Sequence, residues 1–110
     1  MILTKGEKVY VIHRRLFEKD IGRHFAGIVE DYAGGVARIS GHVFVVDHTT
    51  HKFIRRDGPR IRIISLQSAE LLVNVLPFHV DLSKLRHEIG RGFLRVTDGS
   101  SWHLDVSEFT

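Results

Sequence analysis

Lys52, Arg55, Arg56, Arg60 and Arg62 place five cations in the stretch KFIRRDGPRIRI, residues 52–63. Lysine and arginine neutralise phosphates and release counterions, and arginine can also grip a phosphate with two N–H groups. Asp57-Gly58-Pro59 is a turn signal between two segments rich in isoleucine and phenylalanine. The stretch therefore reads as a basic β-hairpin. Arg14, Arg15 and Arg23 would extend its charge if the fold brought them near. A plainer reading is a solvated edge hairpin whose charges discourage strand-to-strand aggregation. No aromatic pair is spaced as a base-stacking platform, although Tyr10 or Phe53 could serve singly.

Histidine supplies a second candidate chemistry. Of eight histidines, His42, His48 and His51 gather around Asp47. Imidazole and carboxylate are suitable ligands for zinc and similar metals. Such sites need three or four ligands fixed in space, whereas 47–51 reads as a polar loop. These four residues are thus weak metal candidates, and no cofactor is expected. His13, His24, His79, His87 and His103 are scattered and support no specific role.

Nothing in the chain argues for catalysis. It has no nucleophile elbow, zinc-protease motif, phosphate loop or dinucleotide fingerprint. Glu30 and Asp31 are adjacent, and neighbouring strand residues point to opposite faces, so they make a poor acid–base pair.

The 110 residues suit one small β domain, 1–110. Cysteine is absent, which excludes disulfides, thiolate metal sites and a cysteine nucleophile. No apolar run is long enough to span a bilayer as a helix, so no membrane partner is expected. The N-terminal residues carry no secretory signal, and a cytoplasmic location is the expectation. Charge is uneven: residues 1–62 hold 12 Lys/Arg against 7 Asp/Glu, and residues 63–110 hold 4 against 6. The first half is therefore the place to look for polyanion binding.

The elements that must position these residues are short strands. Residues 8–13, 25–30, 36–39, 42–46 and 71–76 are rich in β-branched and aromatic types and separated by glycine or polar punctuation. Gly34-Gly35 marks a turn, and Gly41 predicts a bend or bulge. The unbroken apolar run 43–46 predicts burial on both faces or a place in the centre of the sheet. Asp81 as N-cap, with Leu82, Leu85 and Ile89 at helical spacing and Gly90 as stop, predicts one short helix over residues 82–89. A C-terminal hairpin follows. A three-residue loop, Thr97-Asp98-Gly99, sets Leu94 opposite Trp102 and Gly92 opposite Leu104, and gathers Leu94, Val96, Trp102, Leu104 and Val106 on one face.

The expected fold class is mainly β: a small antiparallel barrel or strongly curved sheet with one short helix and a C-terminal β-hairpin. SH3-like, Sm-like and OB barrels are comparable in size and strand content alone. The expected function is a non-enzymatic binding module of unassigned partner, whose most concrete form is nucleic-acid association through the basic hairpin. Two alternatives stand beside it. One is a protein-interaction domain, including a homodimer formed through exposed strand edges. The other is a metal- or small-ligand-binding protein using His42, Asp47, His48 and His51.

Overall fold

The computed structural model describes residues 3–13, 23–47, 52–68, 70–91 and 93–106, with the backbone alone at Val46 and Asp47. The described residues form nine antiparallel strands in two sheets. The larger sheet holds β1 (Lys8–His13), β2 (Arg23–Ala33), β3 (Val36–Asp47), β4 (Lys52–Arg55), β5 (Arg60–Ser65) and β6 (Leu71–Leu76). The smaller holds β7 (Arg86–Gly90), β8 (Phe93–Thr97) and β9 (His103–Asp105).

β1 is paired along both edges, with β2 and β6. Its sequence VYVI is buried at every position. Val9 and Val11 belong to one core, together with Phe25, Val29, Ile39 and Val43. Tyr10 and Ile12 belong to the other, together with Ala26, Phe44 and residues of the small sheet. The run 43–46 was expected to be buried on both faces or central in the sheet, and Val43 and Phe44 fall into opposite cores.

β2 and β3 form a long hairpin about Gly34 and Gly35, whose φ values of 60° and 80° suit the tight turns that match strand twist. Gly41 does not bulge the chain as expected. It stands opposite Gly27, and a Cβ at Gly41 would collide with the Ala26 carbonyl oxygen and the Gly27 Cα. The two glycines let β2 and β3 approach closely. The register shift lies instead in β2, between Val29 and Asp31.

Three further expectations are corrected. Residues 52–63 are not a hairpin. β4 and β5 both run antiparallel to β3 along the same edge, with Phe44 opposite Arg55 and Gly41 opposite Arg60. Four residues, 56–59, stand opposite two of β3, so Asp57-Gly58-Pro59 is an outward bulge in one interrupted edge strand. Gly58 (φ 82°) permits the excursion, and Pro59 has no N–H to pair.

The helix over 82–89 is replaced by a 3-10 turn, Leu82–Lys84, followed by β7. Asp81 does cap it, accepting from Ser83 N at 3.0 Å. Leu85 then turns extended, with ψ 132°. A two-turn helix is marginal by itself, and pairing of five residues with β8 outweighs it.

The third correction concerns closure and register. No closed barrel, SH3-like or otherwise, forms among the described residues: β5 and β6 are not paired. Ile64 of β5 and Leu71 of β6 instead line one cleft. In the C-terminal hairpin Val96 faces Leu104, and Val106 N donates to Leu94 O. The loop is 98–102, held by Asp98 accepting from Ser100 and by Thr97 Oγ1 donating to the Trp102 carbonyl. The shift from the expected register is four residues, an even number. Leu94, Val96, Leu104 and Val106 therefore still share the core face, and Trp102 packs against it. Gly92, expected opposite Leu104, lies outside the described residues.

Gly41→Ala is expected to lower stability by about 1–3 kcal/mol or more, because the neighbour it meets is backbone and cannot yield. Gly58→Ala, whose Cβ would meet open space, should cost only about 1 kcal/mol through its positive φ. Urea unfolding of the two variants checks the ranking.

Candidate functional site

Two arrangements emerge, one on each face of β2. On one face Tyr10, His24 and His87 meet between the sheets. Tyr10 is opposite Ala26 and Ile12 is opposite His24, which places both polar groups on the face covered by β7. Tyr10 Oη lies 2.5 Å from His24 Nδ1 and 2.7 Å from His87 Nε2. Phe53 stacks on the His87 ring at 3.6 Å and 4°, and Phe44 meets that ring edge-on. Tyr10 is fully buried, so it cannot stack on a base as the sequence allowed; Phe53 is half-buried beneath His87.

A phenol has one proton, so it donates to one imidazole and accepts from the other. His24 Nε2 is buried and has no protein partner. A buried bare acceptor is tolerated better than a buried orphan N–H. The His24 proton therefore belongs on Nδ1, donating to Tyr10, and Tyr10 donates to His87 Nε2. Burial drives His24 down to about 4. Burial, and then the proximity of His24, drives His87 to about 3. Burial also pushes the Tyr10 phenol well above its usual value. The cluster is neutral near pH 7, and its chemistry is cohesion between the sheets.

On the other face lies a basic cleft. Residues opposite Val45 and Ile39 share that face, which gathers Arg23, Ile54 and Arg62 there; alternation along the edge adds Lys52 and Arg60, and Arg56, whose N donates to Val43 O, stands opposite Val43 of the same face. Arg55 is opposite Phe44 and points the other way. Its Nη1 donates to Ser83 O at 3.2 Å. The cleft, about 140 Å³, has Arg23 and Arg62 at its mouth and Phe25, Val43, Ile64 and Leu71 beneath. None of its lining residues is acidic. At the rim, His13 Nε2 lies 3.4 Å from Glu70 Oε2. The Arg62 guanidinium sits 5.7 Å from the Phe25 ring centre. Among the described residues, no carboxylate pairs with Lys52, Arg55, Arg56, Arg60, Arg62 or Arg23.

The sequence reading grouped five cations in one hairpin; the structure divides them four and one between two faces, and brings Arg23 to the larger group. Arg14 and Arg15 lie outside the described residues, as do His48, His51 and the Asp47 side chain. Of the metal candidates only His42 can be placed, and Arg55 Nη2 is 3.5 Å from its Nε2. Burial and then that guanidinium lower the His42 pKa, and a fixed cation there repels a metal ion. Among the described residues no three His, Cys, Asp or Glu side chains converge. The Tyr10–His24–His87 cluster escaped sequence reasoning because its members are far apart in the chain. Tyr10 within the apolar run of β1 was a signal, but His24 follows Arg23 just before the second apolar run and carried none.

No helix among the described residues is long and apolar enough to cross a membrane. No protein-family model, curated protein or solved structure matches the chain.

The histidine pair sets an acid dependence. Unfolded histidine titrates near 6.5, whereas the folded pair titrates near 4 and 3. Above about pH 6.5 neither state binds these protons and stability is full. Between about 6.5 and 4 the unfolded chain takes them up first, so stability falls with pH. Urea midpoints measured from pH 7 to pH 4 should decline, and His87→Gln should flatten the decline. At pH 7, Tyr10→Phe leaves both imidazoles unbonded and should cost about 1–3 kcal/mol.

Proposed function

We propose that this protein is a non-enzymatic binding module for nucleic acid, and that its contact surface is the face bearing Lys52, Arg56, Arg60, Arg62 and Arg23. One observation carries the reading: these cations share a face and have no carboxylate partners among the described residues, and two of them, Arg23 and Arg62, line a cleft without acidic residues. Unpaired arginines along an edge strand are costly in mutual repulsion unless a polyanion or salt neutralises them. Phosphates would be held by charge and by bidentate N–H donation, giving affinity that falls steeply with salt.

A second reading, a protein-interaction domain, is favoured by the edge of β5, which among the described residues pairs with β3 alone. Ile61 and Ile63 on that edge are 65% and 66% exposed. Leu66 N bonds Gly35 O, so by the alternation of an antiparallel ladder Ile61 and Ile63 direct their backbone groups outward. Self-pairing of two such edges would bring Arg60 and Arg62 of both copies together, which disfavours a homodimer through β5. Light scattering over a concentration series tests that form; a dimer that survives dilution would support it.

For the nucleic-acid reading, the labelled-strand affinity is measured across a salt series. Arg60→Ala with Arg62→Ala should weaken binding and reduce the log–log salt slope by about 1.4 for a single strand. Arg55→Ala, on the opposite face, should leave the slope unchanged. Absence of binding at low salt, or a larger effect from Arg55, defeats the reading.

A further inference from the structure

We propose that the basic face takes single-stranded rather than duplex nucleic acid, with one unpaired base seated in the cleft between the β5 and β6 edges and its flanking phosphates on Arg23 and Arg62. The proposal rests on the nucleic-acid reading above and narrows it to a strand class and a base pocket.

The cleft lies where, among the described residues, β5 and β6 are not paired. β5 contributes Arg62 and Ile64, β6 contributes Leu71, and the floor comes from Phe25 and Val43. A hydrogen-bonded β5–β6 pair would fill this space with backbone. The opening instead presents an apolar, partly aromatic slot of about 140 Å³, with two guanidinium groups at its lips. An inorganic anion would use the arginines and leave the apolar floor exposed to water. A flat heterocycle joined to phosphates on either side uses both parts of the site.

Duplex geometry does not fit. Its bases are paired and stacked inside a convex phosphate surface, while the slot is concave and lies between two strand edges. A single strand can turn a base outward, and proteins commonly receive such bases against aromatic rings or the planes of arginine guanidinium groups. Arg62 is placed to serve in that way, with its guanidinium beside the Phe25 ring. Arg23 reaches the same mouth from β2. Charge complementarity, apolar floor and size thus agree on one occupant.

The full chain is titrated at fixed low salt with three labelled probes: a short single strand, its duplex, and the same strand with its internal bases removed. The base-bearing single strand should bind about tenfold tighter than the abasic strand, and also tighter than the duplex, because stacking of one base is worth a factor of that order. Leu71→Trp, which fills the slot from a half-buried position, should abolish the advantage of the base-bearing strand while preserving the salt slope. The abasic comparison on the unaltered protein needs no variant and stands even if Leu71→Trp fails to fold. Equal affinity for all three probes overturns the proposal but leaves a general polyanion-binding face. An acidic peptide that binds with the same salt slope and displaces the single strand overturns it as well. No binding of any nucleic acid defeats this proposal and the reading beneath it together.

Discussion

The burial of β1 on both faces is the constraint from which the rest of the molecule follows. Val9, Tyr10, Val11 and Ile12 are all buried in succession, so β1 needs an apolar layer above and another below. At about 1.5–3 kcal/mol for a fully buried large aliphatic side chain, these four positions form a large part of the driving force. The curled sheet provides one layer from its own strands. The small sheet of β7, β8 and β9 provides the other. The cost is the phenol of Tyr10, a polar group placed where water is excluded. His24 from the same sheet and His87 from the small sheet satisfy it. The neutral cluster is thus a consequence of two-sided burial, and it joins the sheets by direction-dependent bonds where the surrounding contacts are apolar and non-directional.

The edge strand follows from the length of β3. Twelve residues of β3 carry two ladders, and β2 occupies one of them. β4 and β5 fill the other in succession, interrupted by the bulge at 56–59. Because the chain does not reverse there, alternation continues with two residues inserted. An even insertion keeps Lys52, Arg60 and Arg62 on one face. A true hairpin would have stacked its cations on a two-stranded ribbon projecting from the body. The observed arrangement lays them along the rim of the sheet, within reach of Arg23.

Much of the strand layout was legible in the sequence because period-two burial and turn chemistry are local. The limits of β1 and β6, the Gly34-Gly35 turn and the core face of the last hairpin could be read from residue types. Residues 82–89 could not, because Leu82, Leu85 and Ile89 satisfy helical spacing while the decision rests on pairing with β8, a tertiary contact. Asp57-Gly58-Pro59 misled for a similar reason. Its turn chemistry is real, but whether such a turn reverses the chain or bulges it depends on whether β3 offers further ladder to pair with. The histidine cluster was invisible since His87 is 77 residues from Tyr10. The cations were legible as a group. Their division between faces was not, because it depends on register across three strands.

Arg23, His24 and Phe25 connect the two faces. They are consecutive on β2, and strand alternation sends Arg23 and Phe25 into the basic cleft and His24 into the Tyr10 cluster. His24 is locked by burial, by the Tyr10 hydroxyl and by the rings of Phe53 and Tyr10 around it. The backbone of β2 at this point therefore has little freedom, and the cleft residues on either side of His24 are held by the opposite core. A ligand entering the cleft meets side chains whose backbone is already ordered, which lowers the entropic cost of binding. The polar cluster is neutral near pH 7. Under the proposed function, its contribution is the rigidity it gives to the strand that presents Arg23 and Phe25.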